Sequence, residues 1–271
     1  MPQVYHYDRR PGYTRLVGPG EADLEHLEFG VWRVPRDETL ERDLAGQEAL
    51  LVILSGACQV EVDNESWTLE RTSVFAAPAM MVYVPRHRRC RVTGLKPADL
   101  AVFTTDALQD YLPRFVDAHE ISTRLEGAGS LRRRVHILAG PEFPASRLLV
   151  GETYVEPGNW GSYPPHKHDE DRYPDEVHLE EVAFFQIDPP QGFALQYLYS
   201  ADRSLDQVHV MRNDDLLATA RGYHPVAVAP GYGLYYLWGM AGEGRVIRSS
   251  LDPAHAWVGE ELGVEEAIAV P

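Results

Sequence analysis

His166 and His168 are separated by one residue, and side chains on an extended strand alternate between faces, so the two imidazoles project to the same side. Two rings at that spacing make a metal pincer. Pro164 and Pro165, just before them, deny the segment helical hydrogen bonding and hold its backbone extended. Glu181 opens an apolar run over residues 182–185. A carboxylate leading such a strand needs a partner, because burying an unpaired charge costs on the order of several kcal/mol. A third imidazole, His224, sits on the turn Gly222-Tyr223-His224-Pro225 and could converge on the first two and Glu181 across a barrel interior. Three neutral nitrogens and one carboxylate suit Zn²⁺, Mn²⁺ or Fe²⁺ and leave open positions for substrate oxygens.

The elements that would position these groups are strands. Period-two alternation and turn residues predict strands over 27–34, 49–54 (ending at Ser55-Gly56), 59–62, 66–69, 74–77, 80–84 and 90–92. A second series follows over 147–155, 193–199, 207–211, 215–220, 225–229, 234–240 and 245–249. Helical spacing is confined to residues 106–115, through Ala107, Leu108, Tyr111 and Leu112, and to residues 263–269. Short strands at this spacing predict an all-β protein of two tandem barrels, residues 1–128 and 129–271, jointed in the polar stretch 117–129. Glu48 before its apolar strand echoes Glu181 before another. Nothing like His166-Lys167-His168 precedes Glu48, so the first barrel is expected to lack a metal site.

Composition narrows the function classes. The 271 residues carry a formal net charge of −16, which repels phosphate backbones and anionic lipid headgroups, so neither nucleic acid nor membrane is an expected partner. The amino-terminal residues lack the apolar core of a secretion signal, and a cytoplasmic protein is expected. Cys58 and Cys90 are read as buried thiols. The basic runs 86–89 and 132–134 are expected on solvated faces or subunit contacts. His26, His119, His136, His209 and His255 have no partner pattern and are expected to be structural or exposed. Lys96 and Lys167 are the only lysines, and Lys167 faces away from its histidine neighbours, which disfavours imine chemistry.

His-x-His, a later Glu opening a strand and a further His after a Gly-containing turn resemble the metal site of the cupin superfamily. More specifically, Gly158-Asn159-Trp160, the block 163–169, Leu179-Glu180-Glu181, the stretch 189–193 and the turn 221–225 resemble the 5-deoxy-glucuronate isomerase family of inositol catabolism. Arg134-Val135-His136, Gly231-Tyr232, Tyr235-Tyr236-Leu237 and Asp252-Pro253 extend the likeness. The sequence departs from the general cupin pattern in placing twelve residues between His168 and Glu181, in closing the Glu strand with Asp188-Pro189-Pro190, and in setting Gly222 two residues before His224. Glu180 and Glu176 therefore compete with Glu181 as the carboxylate ligand, and Glu181 is favoured because the strand opens there.

The resemblance implies a bicupin, with one divalent metal ion, that interconverts an aldose and a ketose sugar acid. Such a reaction needs a proton-shuttling group, for which Asp169, Glu176, Glu180 and His178 are the candidates. A substrate carboxylate calls for an arginine, Arg221 or Arg245, and Tyr163, Tyr223 or Tyr236 could bind sugar hydroxyls. An isomerase of pectin-derived uronates, an iron-dependent dioxygenase and a sugar-binding module without activity are the competing functions. Assembly into a homo-oligomer is left open.

Overall fold

The computed structural model of the chain describes residues 3–261, and the helix expected at 263–269 lies outside them. Among the described residues, two β-barrels lie side by side, and the one α-helix is Trp257–Glu261. No described helix is long and apolar enough to cross a membrane. A nine-stranded sheet carries the first barrel, and a seven-stranded and a four-stranded sheet make the walls of the second.

The long strand Gln47–Val62 shows how the first barrel closes. Its first part pairs with Met81–Val84 and Ala98–Asp106, and its second with Glu65–Arg71 and Arg89–Gly94. The sequence places a strand end at Ser55-Gly56, but the chain bends there and continues. Gly56 adopts φ +88°, and a Cβ would sit 1.9 Å from the Pro97 carbonyl oxygen, so only glycine lets the strand turn this corner.

Both faces of the central strands are buried, which is why their sequences read as unbroken apolar runs. Leu50, Val52 and Leu54 point into a core between the barrels, while Ala49, Leu51 and Ile53 fill the first barrel's interior. In the second barrel Val182 and Phe184 join the shared core, and Phe185 and Ile187 face the interior. The rings of Phe29, Phe103 and Phe184 meet in the shared core, at 4.9 and 5.5 Å between centroids. The amino-terminal strand crosses to the second barrel. Val4–His6 pairs with Asp215–Thr219 in the seven-stranded sheet.

Two carboxylates fasten this contact reciprocally. Glu48, fully buried, accepts the backbone N–H groups of Ser146, Arg147 and Leu148 at 2.6, 2.7 and 2.9 Å. Glu180 accepts those of Glu25 and His26, both at 2.7 Å, and of Leu27. Each donor segment directly precedes the strand, Leu149–Val155 or Glu28–Val34, that packs into the other half. Glu48 is thus the counterpart of Glu180 rather than of Glu181. One residue on, Ala49 occupies in the first interior the place that Glu181 occupies in the second.

Several expected elements differ. Residues 107–113 are not helical: Ala107 is buried and Tyr111 packs on the core, but Leu108 and Leu112 are 62% and 78% exposed, so only half of the presumed apolar face is covered. The amide of Leu108 is spent on Ser146 Oγ, and Pro113 stops any continuation. Residues 74–77 form a turn. Residues 245–249 form no strand, and the Arg245 guanidinium is fixed by the carbonyls of Leu148, Pro141 and Gly140. Within the polar stretch 117–129, Ser122–Glu126 is a strand paired with Arg133–Ala139. Replacing Glu180 with Ala orphans three amides at the barrel contact, and chemical denaturation is expected to show a loss of about 3 kcal/mol or more; a loss under about 1 kcal/mol would contradict the clamp.

Candidate metal centre

His166 and Lys167 form a two-residue strand paired with Ser250–Leu251, and His168 follows it directly. His224 arrives on its turn, where Gly222 takes φ +88° and a Cβ would meet the Tyr199 carbonyl at 2.8 Å. Ligand atoms of His166, His168 and His224 all lie within 4.8 Å of one another. Glu181 Oε2 stands 3.0 Å from His168 Nε2 and 3.5 Å from His224 Nε2. Glu181 reaches them because the strand alternates, sending Glu180 to the barrel contact and Glu181 inward.

The surrounding backbone orients the rings. The Nδ1 of His168 lies 2.6 Å from the Leu179 carbonyl and that of His224 3.0 Å from the Gly222 carbonyl, and the Pro164 backbone hydrogen-bonds His166. An Nδ1–H held by a carbonyl leaves an Nε2 lone pair facing the cluster, the arrangement of a metal-ligating histidine. The Nε2 of His224 is buried without a hydrogen-bond partner, as a ligand atom for a cation would be. These residues fit one divalent ion.

The electrostatics agree. Burial, with the neighbouring His224 and His168 and the charge of Arg133, pulls His166 well below its usual pKa. Burial and His168 lower that of His224. Burial also opposes charge on His168, but the hydrogen bond to Glu181 outweighs it and raises the pKa. For Glu181, burial pushes upward, yet the hydrogen bond from His168 and the charges of both histidines hold it low.

Of the groups expected to move a proton, three are spent on structure. Glu176, fully buried, accepts the amides of Asp169 and Glu170 at 2.8 and 2.9 Å and the Lys167 ammonium at 2.9 Å. Asp169 takes Lys167 on one oxygen and the Gly222 amide on the other, at 2.7 Å. Lys167 thus faces away from the imidazoles yet ties their strand, the insertion and the His224 turn into one network. Glu180 belongs to the barrel clamp. The fourth candidate, His178, lines with Arg221 a separate cleft of about 570 Å³.

The expected substrate contacts divide similarly. Arg245 is consumed by backbone carbonyls, and the Tyr223 ring packs on Tyr199 at 5.0 Å. The Tyr163 ring packs against Trp160 and His255. Tyr236 does line the cavity beside the cluster, with Ser162, Thr153 and Trp238. The residues missed are Arg133 and Glu126, which line the same cavity. Arg133 was expected at a solvated face or subunit contact, but its side chain is 6% exposed, bonding Glu126 at 2.9 Å and the Tyr163 carbonyl at 3.0 Å. Its signal was the alternation Arg133, Val135, Ile137 on the interior face, hidden among three arginines.

The KduI/IolB family profile matches residues 4–258. The chain belongs to the KduI/IolB family. It is 38% identical over 258 residues to a 5-deoxy-glucuronate isomerase of Geobacillus thermodenitrificans, covering 94% of each chain. To the enzyme of that name from Bacillus subtilis strain 168 it is 36% identical over 263 residues, covering 95% of this chain and 96% of the relative. An IolB-like protein of Salmonella typhimurium superposes with a TM-score of 0.91 at 33% identity, over 94% of this KduI/IolB chain and 98% of the other. Oxalate decarboxylase of Bacillus subtilis shares the fold alone, with a TM-score of 0.62 at 12% identity, covering 98% and 84%.

Lys167→Met leaves Asp169 without its cation and Glu176 with Arg172 alone, and a stability loss of about 3 kcal/mol is expected in denaturant titrations; an unchanged midpoint would show the network to be incidental. Because His166 and His224 have folded pKa values below 6.5, their contribution is complete above that pH and lost as pH falls through it. The raised His168 pKa works the other way and offsets part of that loss, so the ion-free protein is expected to lose stability on acidification, but less in His166→Ala; equal slopes in the two proteins would contradict the assignment.

Proposed function

We propose that this chain is a metal-dependent aldose–ketose isomerase that converts 5-deoxy-glucuronate into 5-dehydro-2-deoxy-gluconate. One observation carries the reading: three imidazoles and Glu181 gather at a cavity that also holds a buried guanidinium, Arg133. The name borne by relatives at 36–38% identity over nearly the whole chain supports the same substrate.

His166, His168, His224 and Glu181 would hold the ion, with Zn²⁺ or Mn²⁺ suited to the donor set and Fe²⁺ also compatible. Such an ion supplies Lewis acidity, polarising the carbonyl and adjacent hydroxyl of a hydroxy-aldehyde. The rest is the protein's work. Arg133 presents five N–H donors in a planar fork, and its contacts with Tyr163 and Glu126 leave others to receive the substrate carboxylate. Tyr236 and Ser162 offer hydroxyls to the sugar, while Val135, Met240 and Ile247 give the cavity apolar walls. Glu126 beside Arg133 offsets its charge, and an anionic substrate then enters a site that the ion has left positive.

Incubating the metal-loaded protein with 5-deoxy-glucuronate should yield the ketose by NMR without oxygen uptake; no conversion, or oxygen consumption, would overturn the reading. His166→Ala and His224→Ala are expected to lose bound metal and turnover together, and full activity in either would contradict the ligand set. Arg133→Lys is expected to raise KM about tenfold or more, since an ammonium cannot reproduce the fork; an unchanged KM would exclude Arg133 as the carboxylate anchor.

A further inference from the structure

Moving a carbonyl from C1 to C2 of a sugar acid has a fixed proton account. One hydrogen leaves C2 and one arrives at C1, and oxygen O2 loses a proton while O1 gains one. However the carbon-bound hydrogen travels, a proton must pass from O2 to O1, and a side chain reaching both oxygens can carry it. We propose that Tyr236 carries it, giving its hydroxyl proton to O1 as that oxygen becomes a hydroxyl and taking the O2 proton as the new carbonyl forms. The O1–H and Tyr236 O–H bonds form as the old Tyr236 O–H and the O2–H bonds break, so the phenol ends unchanged and no oxidant or reductant is needed. This inference rests on the isomerase reading.

Among the described residues, the titratable groups lining the cavity are Glu126, Arg133, His166, His168, Glu181 and Tyr236. The two histidines and Glu181 are committed to the cluster. Arg133 is a donor only, and Glu126 is tied to it at 2.9 Å. Tyr236 is left.

Hydrogen-bond direction supports the role. An indole N–H can only donate, so Trp238 Nε1 gives its proton to Thr153 Oγ at 3.1 Å. Thr153 stands opposite Tyr236 in the ladder, and its hydroxyl favours the phenolate. Thr153 keeps its own proton to donate, and directed at the phenol oxygen it turns the Tyr236 proton toward the cavity. The remaining protein partner, Ser162 Oγ, is 3.4 Å distant, too long to hold that proton firmly.

Packing seats the ring. It lies on Phe185 at 5.8 Å between centroids, and a Cβ on Gly161 would come within 2.8 Å of its hydroxyl oxygen. Gly161 is therefore the clearance through which the phenol reaches the cavity. Burial keeps Tyr236 protonated at rest, while Arg133, Ser162 and Thr153 favour the phenolate it becomes for an instant.

Tyr236→Phe removes only the hydroxyl. Metal-loaded Tyr236→Phe is expected to show kcat lower by about 100-fold or more, with KM raised no more than about fivefold by the lost sugar contact and metal content within about twofold of the parent. A kcat within about threefold of the parent, or a loss that follows metal content, would overturn the role. Thr153→Val keeps the phenol but removes the donor that aims it, and should lower kcat where Thr153→Ser does not; equal kcat in these two variants counts against the relay and decides the matter if Tyr236→Phe fails to fold. An inactive parent protein would instead refute the isomerase reading and the inference with it, whereas an active parent beside a fully active Tyr236→Phe refutes the proton role alone.

Discussion

A carboxylate clamp between the barrels sets the register of the strand that delivers the site. Glu180 is held by three amides of the first half, and strand geometry leaves its successor no choice but the second interior. A slip of one residue would bury Glu181 against the shared apolar core and expose Glu180 to the imidazoles. The reciprocal clamp at Glu48 uses the same geometry with Ala49 as successor. One scaffold played twice thus yields a site once, and apolar side chains, Cys58 and Cys90 among them, fill the first interior. Burial drives the pKa of Cys58 up to about 12 and that of Cys90 up to about 11, as expected of inert core thiols.

The four inward groups could not stay there unaided, because desolvation penalises every charged form among them. Two devices lower the cost. Backbone partners at Pro164, Leu179 and Gly222 orient the imidazoles, and Glu181 lies within reach of two of them. Behind them, Lys167 gathers Asp169 and Glu176, and Asp169 passes the connection to the Gly222 amide. The insertion before Glu181 is therefore a brace for the site, and its Asp169 and Glu176 are satisfied by the chain itself.

Much of this was legible because strand geometry is local. The period of two placed His166 and His168 together, and the unpaired charge of Glu181 before an apolar run demanded company. What escaped required partners distant in sequence. Glu176 and Asp169 read as free acids until Lys167 and Gly222 closed on them, and Arg245 read as a substrate clamp until three carbonyls claimed it. Arg133 was hidden by its neighbours Arg132 and Arg134, since three arginines in a row look like a solvated face whichever one points inward. The helix expected at residues 106–115 failed for the complementary reason: its spacing was helical, but no surface received Leu108 and Leu112.

The account turns on one ion held inside the second barrel and none in the first. Anomalous diffraction from crystals of the metal-loaded protein, recorded at the absorption edge of the bound metal, reads this directly. A single peak per chain among the Nε2 atoms of His168 and His224, a ring nitrogen of His166 and the Glu181 carboxylate is the expected result. A peak elsewhere, or full occupancy in a His224→Ala crystal, would contradict it.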